Sequence, residues 1–231
     1  MQETTPATST PRKATFLGIS GIAGLIVGAL TLGGQALPGF LTRNVADNAV
    51  TQAVGHFVAQ HLSNSAAAWS LAAFLIVAAT PLVRTWAATA GFLTLLGATA
   101  GYYAAATLFL NDDLSAAALR SPLIWAVIAA VAGPFFGLAA AVWRRGSPRH
   151  RPWALAAVAA LFLAEAIYNA AILHYWSDAA TSAAIGILVA LLLAGDSPQR
   201  RATLQRLIPA TAVMSAALAA AFTLAQIVFT L

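Results

Sequence analysis

The chain contains no cysteine, a single lysine and few charged side chains of either sign. The absence of cysteine excludes disulfides, thiolate nucleophiles and thiolate-held zinc or iron–sulfur clusters. Because Lys13 lies near the amino terminus, the sequence has neither a Walker phosphate-binding loop nor a lysine placed to form a Schiff base within an apolar run. The motifs G-x-S-x-G, H-E-x-x-H and G-x-G-x-x-G are also missing. The sequence therefore predicts no catalytic residue and no cofactor, and an enzyme is the least favoured function.

The low charge and the high apolar content indicate the protein class. Of the 231 residues, 60 % are apolar and 8 % are charged, whereas a soluble domain carries about 25 % charged residues. The chain repeats apolar runs close to the roughly 20 residues that a helix needs to cross a bilayer. The sequence therefore predicts an all-α polytopic integral membrane bundle, a multi-pass protein of the cell membrane whose main partner is the lipid bilayer.

The apolar runs predict about seven transmembrane helices in a single domain, residues 14–231, after a disordered cytoplasmic tail at 1–13. The first run could also be a signal peptide cleaved near Gln35-Ala36, but its length and the later spans favour an uncleaved helix. In residues 42–63 apolar side chains recur at helical spacing with polar side chains mostly on other faces, which predicts an extracytoplasmic amphipathic helix that lies along the membrane surface or caps the bundle. The predicted spans are 14–37, 66–83, 86–110, 122–143, 153–176, 179–195 and 207–231.

The basic residues support this count and give an orientation. With the amino terminus in the cytoplasm, ten of the twelve Lys and Arg residues fall on the cytoplasmic side, as the positive-inside rule requires. Topology thus explains the net charge of +5, and no nucleic-acid partner is predicted. The same loops could contact anionic lipid headgroups. The ten residues are Arg12, Lys13, Arg84, Arg144, Arg145, Arg149, Arg151, Arg200, Arg201 and Arg206.

Three pairs of glycines are candidates for close helix contacts. Each pair has the G-x-x-x-G spacing, which allows two backbones to approach each other in lipid. Such spacings also arise by chance in spans rich in Gly and Ala, so chance remains an equal alternative. The pairs are Gly24 and Gly28, Gly97 and Gly101, and Gly133 and Gly137.

Glu165 is the most informative polar residue because it is the only acidic side chain deep inside a predicted span. A charge at a helix centre costs about 2.5–3.5 kcal/mol on insertion scales, so the carboxyl group is expected to face the bundle interior, paired or protonated. Two interpretations stay open, a polar cavity for a small solute or proton and a hydrogen-bonded cluster that fixes helix register. The candidate cavity residues are Glu165, Tyr168, Asn169, Tyr102, Tyr103, Gln35 and Gln226.

Pro134 and the histidines are weaker candidates. Pro134 interrupts the fourth span, which suggests either a broken helix at a transport site or a packing kink. His56 and His61 are five residues apart, so on a regular α-helix they would not share a face. His174 and Asp178 could form an interfacial polar cluster, and no metal site is predicted.

Several short motifs occur together along the chain. They are GALTLGGQALPG (28–39), NSAAAWSLAAFLI (64–76), LLGATAGYYAA (95–105), GPFFG (133–137) and FLAEAIY (162–168). In this order they resemble an uncharacterised family of multispanning membrane proteins common in actinobacteria, domain of unknown function 6518. The resemblance implies a membrane location and no particular chemistry.

Two functions are favoured over an enzymatic activity. The first is a small-solute binding or transport component, favoured because a carboxyl group near the midplane and a Gly-Pro break need an explanation. The second is a structural or assembly subunit of a larger membrane complex, with another membrane protein as its partner.

Overall fold

The computed structural model describes residues 10–110 and 119–230, and this part of the chain is helical without any strand. Most of the predicted tail and the residues Asn111, Asp112 and Asp113 lie outside the described residues. The α-helices are α1 (Thr10–Asn44), α2 (Ala49–Phe57), α3 (Ala66–Ala78), α4 (Arg84–Leu110), α5 (Arg120–Arg145), α6 (Arg151–Tyr168), α7 (Trp176–Leu193) and α8 (Ser197–Thr230), with π-helical segments π1 (Val58–Ser63) and π2 (Asn169–Leu173).

Six of these helices are long and apolar enough to cross a membrane, namely α1, α4, α5, α6 with π2, α7 and α8. Large apolar side chains cover their outer surfaces, and Phe109, Leu192 and Ile208 are each more than 70 % exposed. In water such a surface would be unfavourable, whereas lipid tails solvate it without cost. The fold is therefore an all-α polytopic membrane bundle, as the composition predicts.

The second predicted span differs from its prediction. Residues 66–83 were expected to cross the membrane, but α3 has only 13 residues, about 20 Å at 1.5 Å per residue, against a hydrocarbon core of about 30 Å. The α2–π1 segment precedes α3 at an angle of 64°. The two parts form a broken unit, which makes seven spans if they are counted as one. The break lies at Asn64 and Ser65.

The α2–π1 segment does not divide into one buried face and one exposed face of opposite polarity. The apolar Val50 is exposed and the polar His61 is buried, but the polar Gln52 is exposed as well. The segment packs against α1, where Gly55 lies directly over Pro38.

All three glycine pairs lie at helix contacts. A Cβ atom added at Gly28 of α1 would overlap the backbone of Ala98 in α4, and one added at Gly101 of α4 would overlap the backbone of Leu25. Gly133 and Gly137 of α5 likewise face the backbone of α4. Two backbones in contact leave no room for a side chain, so glycine is required at these positions.

Proline does not end the helices where the sequence suggested. α1 continues through Pro38 to Asn44, and α5 continues through Pro134 without a break. α8 begins at Ser197, ten residues before the predicted span 207–231, so Arg200, Arg201 and Arg206 lie on this helix. Packing on neighbouring helices compensates for the single backbone hydrogen bond that each internal proline removes.

The bundle consists of two groups of helices joined by α3. The first is α1, α4 and α5, and the second is α6, α7 and α8, in which α6 is central and buries more than half of its residues. α3 contacts α4, α5 and α6. We call the end with Arg84, Arg145 and Arg151 the basic end, and the end with π1 and the start of α7 the opposite end.

Candidate functional site

Ionisable side chains from other helices meet both ends of α3. The Glu165 carboxyl group of α6 accepts hydrogen bonds from the Ser65 hydroxyl at 2.7 Å and from the Ala67 backbone N–H at 2.9 Å. At the other end, the Arg145 guanidinium donates to the carbonyl oxygens of Thr80 and Leu82. These groups complement the helix dipole, whose amino end is positive and whose carboxyl end is negative.

Glu165 therefore faces the bundle interior, as predicted, and its partners are neutral donors rather than a basic side chain. A helix that starts inside the membrane exposes backbone N–H groups that water cannot reach. Glu165 supplies the missing acceptor, while Ser65 itself caps the helix by accepting from Ala68 N–H at 3.0 Å. This geometry supports the interpretation that Glu165 belongs to a hydrogen-bonded cluster that fixes helix register.

A cavity of about 220 Å³ lies next to this junction, at the break before α3. It combines the polar groups of the break with aromatic rings, and none of the described residues that line it carries a charge. Its walls come from five elements and the linker before α3. They are formed by Gln35 of α1, Ser63 of π1, Asn64 and Ser65 of the linker, Ala66 and Trp69 of α3, Tyr102 and Tyr103 of α4, and Ser121 and Trp125 of α5.

The cavity walls are fixed by contacts among these residues. The Tyr102 hydroxyl donates to Gln35 Oε1 at 2.7 Å, and the Tyr103 hydroxyl bonds the Ser121 hydroxyl. The Trp69 indole N–H donates to the Ser63 carbonyl at 3.1 Å, and its ring lies 6.1 Å from the Tyr102 ring. Hydrogen bonds thus hold Tyr102, Tyr103 and Trp69 in place and link α4 to α1 and α5, and α3 to π1.

The structure brings together three of the seven candidate residues and separates the others. Gln35, Tyr102 and Tyr103 line the cavity, while Glu165 reaches it only through Ser65. Tyr168 stacks on Phe222 of α8 with ring centroids 4.7 Å apart, and Asn169 begins π2. The side chain of Gln226 lies outside the part of the chain that the structure describes.

Trp69 and Trp125 are cavity residues that were not predicted from the sequence. Each is the fourth residue of a predicted span, close to the end where interfacial tryptophans are usual. Their positions in the sequence therefore gave no signal that they line a cavity.

A second group of polar side chains meets at the opposite end. His56 Nε2 lies 2.8 Å and His61 Nε2 lies 3.6 Å from the same oxygen of Asp178, at the start of α7. The expectation that His56 and His61 occupy different faces was wrong, because it assumed a regular α-helix. π1 closes hydrogen bonds five residues apart, so residues i and i+5 come close to one face. Asp178 therefore pairs with the α2–π1 segment, whereas His174 only ends π2 in a left-handed conformation.

Comparison with known proteins identifies the family of this chain but does not indicate an activity. A search among curated proteins and a search among solved structures each found no match. The family model described as "Family of unknown function (DUF6518)" matches residues 7–229, nearly the whole chain. This protein is therefore an integral membrane protein that belongs to the DUF6518 family, as the motif resemblance indicated.

Proposed function

We propose that this protein binds a small, uncharged, planar solute in the cavity at the α3 break, as the solute-binding component of a transport system in the cell membrane. The observation that carries the proposal is the position of the cavity at a broken helix. In transporters, substrate sites lie at such breaks because unwound backbone and polar side chains supply hydrogen bonds there.

The cavity walls define the solute class. Four aromatic rings offer stacking surfaces, and the Gln35 and Asn64 amides with three serine hydroxyls offer donors and acceptors. A volume of about 220 Å³ is below the roughly 300–1,000 Å³ of drug-sized sites. Because the described walls carry no charge, a neutral heteroaromatic amide fits better than an ion.

Purified full-length protein in detergent can test this proposal. Nicotinamide, uracil and hypoxanthine serve as probes, and binding is measured as a rise in melting temperature and as a change in tryptophan fluorescence. We expect Trp125→Ala to weaken binding of the best probe about tenfold, because a stacked aromatic contributes about 0.5–1.5 kcal/mol beyond its buried area. Trp86→Ala is the matched control, because Trp86 lies outside the cavity and has nearly the same exposure, 38 % against 37 %.

Equal binding by both variants would contradict the assignment of the site. If no probe stabilises the protein and no small molecule accompanies it through purification, solute binding itself is refuted. Copurification with a stoichiometric membrane protein would then favour the alternative, an assembly subunit.

We further propose that the basic end faces the cytoplasm and contacts anionic lipid headgroups. Arg144, Arg145 and Arg151 line a cleft of about 370 Å³ with Gln199 at this end, and such clusters attract anionic headgroups. Reporter fusions at Ser147 and at Arg200 are expected to show activity typical of the cytoplasm. Periplasmic or extracellular activity at both positions would invert the topology.

A further inference from the structure

A metal site is the strongest candidate outside the cavity. His56, His61 and Asp178 each offer one ligand atom, and these three atoms lie within 4.8 Å of one another. The contacts join the α2–π1 segment to α7 across more than 100 residues of sequence. Neither the solute cavity nor the α3 junction uses these side chains.

We propose that His56 Nε2, His61 Nε2 and an Asp178 carboxylate oxygen bind one Zn²⁺ ion at the opposite end of the bundle. Two imidazoles and one carboxylate are a ligand set that zinc sites with an open fourth position use. Water or a substrate oxygen completes such a tetrahedral site.

Both nitrogen–oxygen distances fit a zinc ion with small adjustments. At bond lengths of about 2.0–2.1 Å, tetrahedral ligand atoms lie about 3.3–3.4 Å apart. The two nitrogen–oxygen distances, 2.8 Å and 3.6 Å, lie on either side of this value. His56 is exposed and can move, whereas His61 and Asp178 are buried and already fixed.

The surroundings of His61 also suit a ligand. Ser182, one turn after Asp178 on α7, is buried and lies 3.4 Å from His61 Nδ1 through its hydroxyl oxygen. Ligating histidines almost always engage their second nitrogen in this way, which orients the ring and leaves Nε2 for the metal. π-helical turns inside helices are themselves frequent at functional sites.

A simple hydrogen-bonded cluster explains these contacts less completely. It would satisfy the His56–Asp178 pair at 2.8 Å, but the 3.6 Å between His61 and Asp178 is too long for a normal hydrogen bond. Such a cluster also does not explain why the Nε2 atoms of both histidines lie close to the same carboxylate oxygen of Asp178. A cation between the three atoms accounts for both features.

The full chain, purified through a histidine-free tag and stripped with a chelator, provides the test. Titration with Co²⁺ is expected to give a visible absorption spectrum of tetrahedral type that saturates at one ion per chain. Zn²⁺ should displace Co²⁺, while millimolar Mg²⁺ or Ca²⁺ should not, because those ions prefer all-oxygen sites. Absence of a stoichiometric Co²⁺ spectrum in the wild-type protein overturns the proposal without reliance on any variant.

Three variants at the site, one control and one substitute variant locate the metal site. His61→Gln and Asp178→Asn are expected to abolish stoichiometric binding, and Ser182→Ala to weaken it about 10–100-fold. His150→Gln is the matched control, because His150 lies at the basic end and pairs with Ser147, and it should bind like the wild type. Stoichiometric binding retained by both His61→Gln and Asp178→Asn overturns the proposal. If a ligand variant fails to fold, His56→Gln, whose side chain is exposed, takes its place with the same expected loss.

Discussion

Gly28→Ala is expected to lower the stability of the protein by about 1–3 kcal/mol, the usual cost of overpacking a close contact. The added methyl group would overlap the Ala98 carbonyl oxygen and come within 2.7 Å of the Tyr102 backbone nitrogen. α1 and α4 must then separate, which would also disturb the Tyr102–Gln35 hydrogen bond in the cavity. Thermal unfolding in detergent, followed by size-exclusion chromatography, measures the effect.

Gly33→Ala in the same helix is a control whose expected effect on stability is zero or opposite to that of Gly28→Ala. Gly33 of α1 is exposed, and an added Cβ would meet nothing within 4 Å. Because alanine favours a helix over glycine by up to about 1 kcal/mol, Gly33→Ala should leave the melting temperature unchanged or raise it. A common direction of shift for both variants would show that backbone approach at Gly28 does not determine the packing.

Glu165→Ala is expected to destabilise the bundle by about 1–3 kcal/mol, the usual cost of leaving a buried hydrogen-bond donor without its acceptor. The variant leaves the Ser65 hydroxyl and the Ala67 N–H without their acceptor at the start of α3. Insertion into the membrane should not suffer, because alanine is easier to insert than a carboxylate. Topology reporters and thermal unfolding, used together, separate these two effects.

Three further variants show whether the cost arises at the α3 junction. Glu165→Gln keeps one carbonyl acceptor and should fall between the wild type and Glu165→Ala. Ile167→Ala, a lipid-exposed position on the same helix, should have a small effect. Ser65→Ala combined with Glu165→Ala should lose less than the sum of the single changes, since residues in contact couple by about 0.5–3 kcal/mol. Strict additivity, or equal stability of Glu165→Ala and Ile167→Ala, would refute the role of Glu165.

The fold was predictable to the extent that it follows from lipid as the solvent. Apolar run length located most of the spans, and the glycine spacings located the contacts of α1 with α4 and of α4 with α5. The prediction failed at α3, where residues 79–83 are apolar enough to extend a span but do not continue the helix. Hydropathy reports whether a segment tolerates lipid, and it does not report whether its backbone remains helical.

The site was less predictable because its contacts are distant in sequence. Glu165 was identified as unusual, but its partners Ser65 and Ala67 lie about 100 residues away. Tyr168 and Asn169 were grouped with Glu165 by helical spacing, whereas Tyr168 instead packs against α8. Spacing along one helix identifies a shared face, but the neighbour of that face depends on how the helices assemble.

The sequence by itself determined the protein class, the all-α architecture, the helix contacts made by glycine and the collection of basic residues at one end. These properties depend on the composition of single segments and on the spacing of residues within them, and both directly determine how a segment inserts in a bilayer. Only the tertiary structure decided that α3 begins inside the bundle, that Glu165 caps it, and that a π-helical turn aligns His56 and His61 with Asp178. The physical reason is that buried polar groups in lipid must find partners, and the available partners are set by packing between helices far apart in the chain.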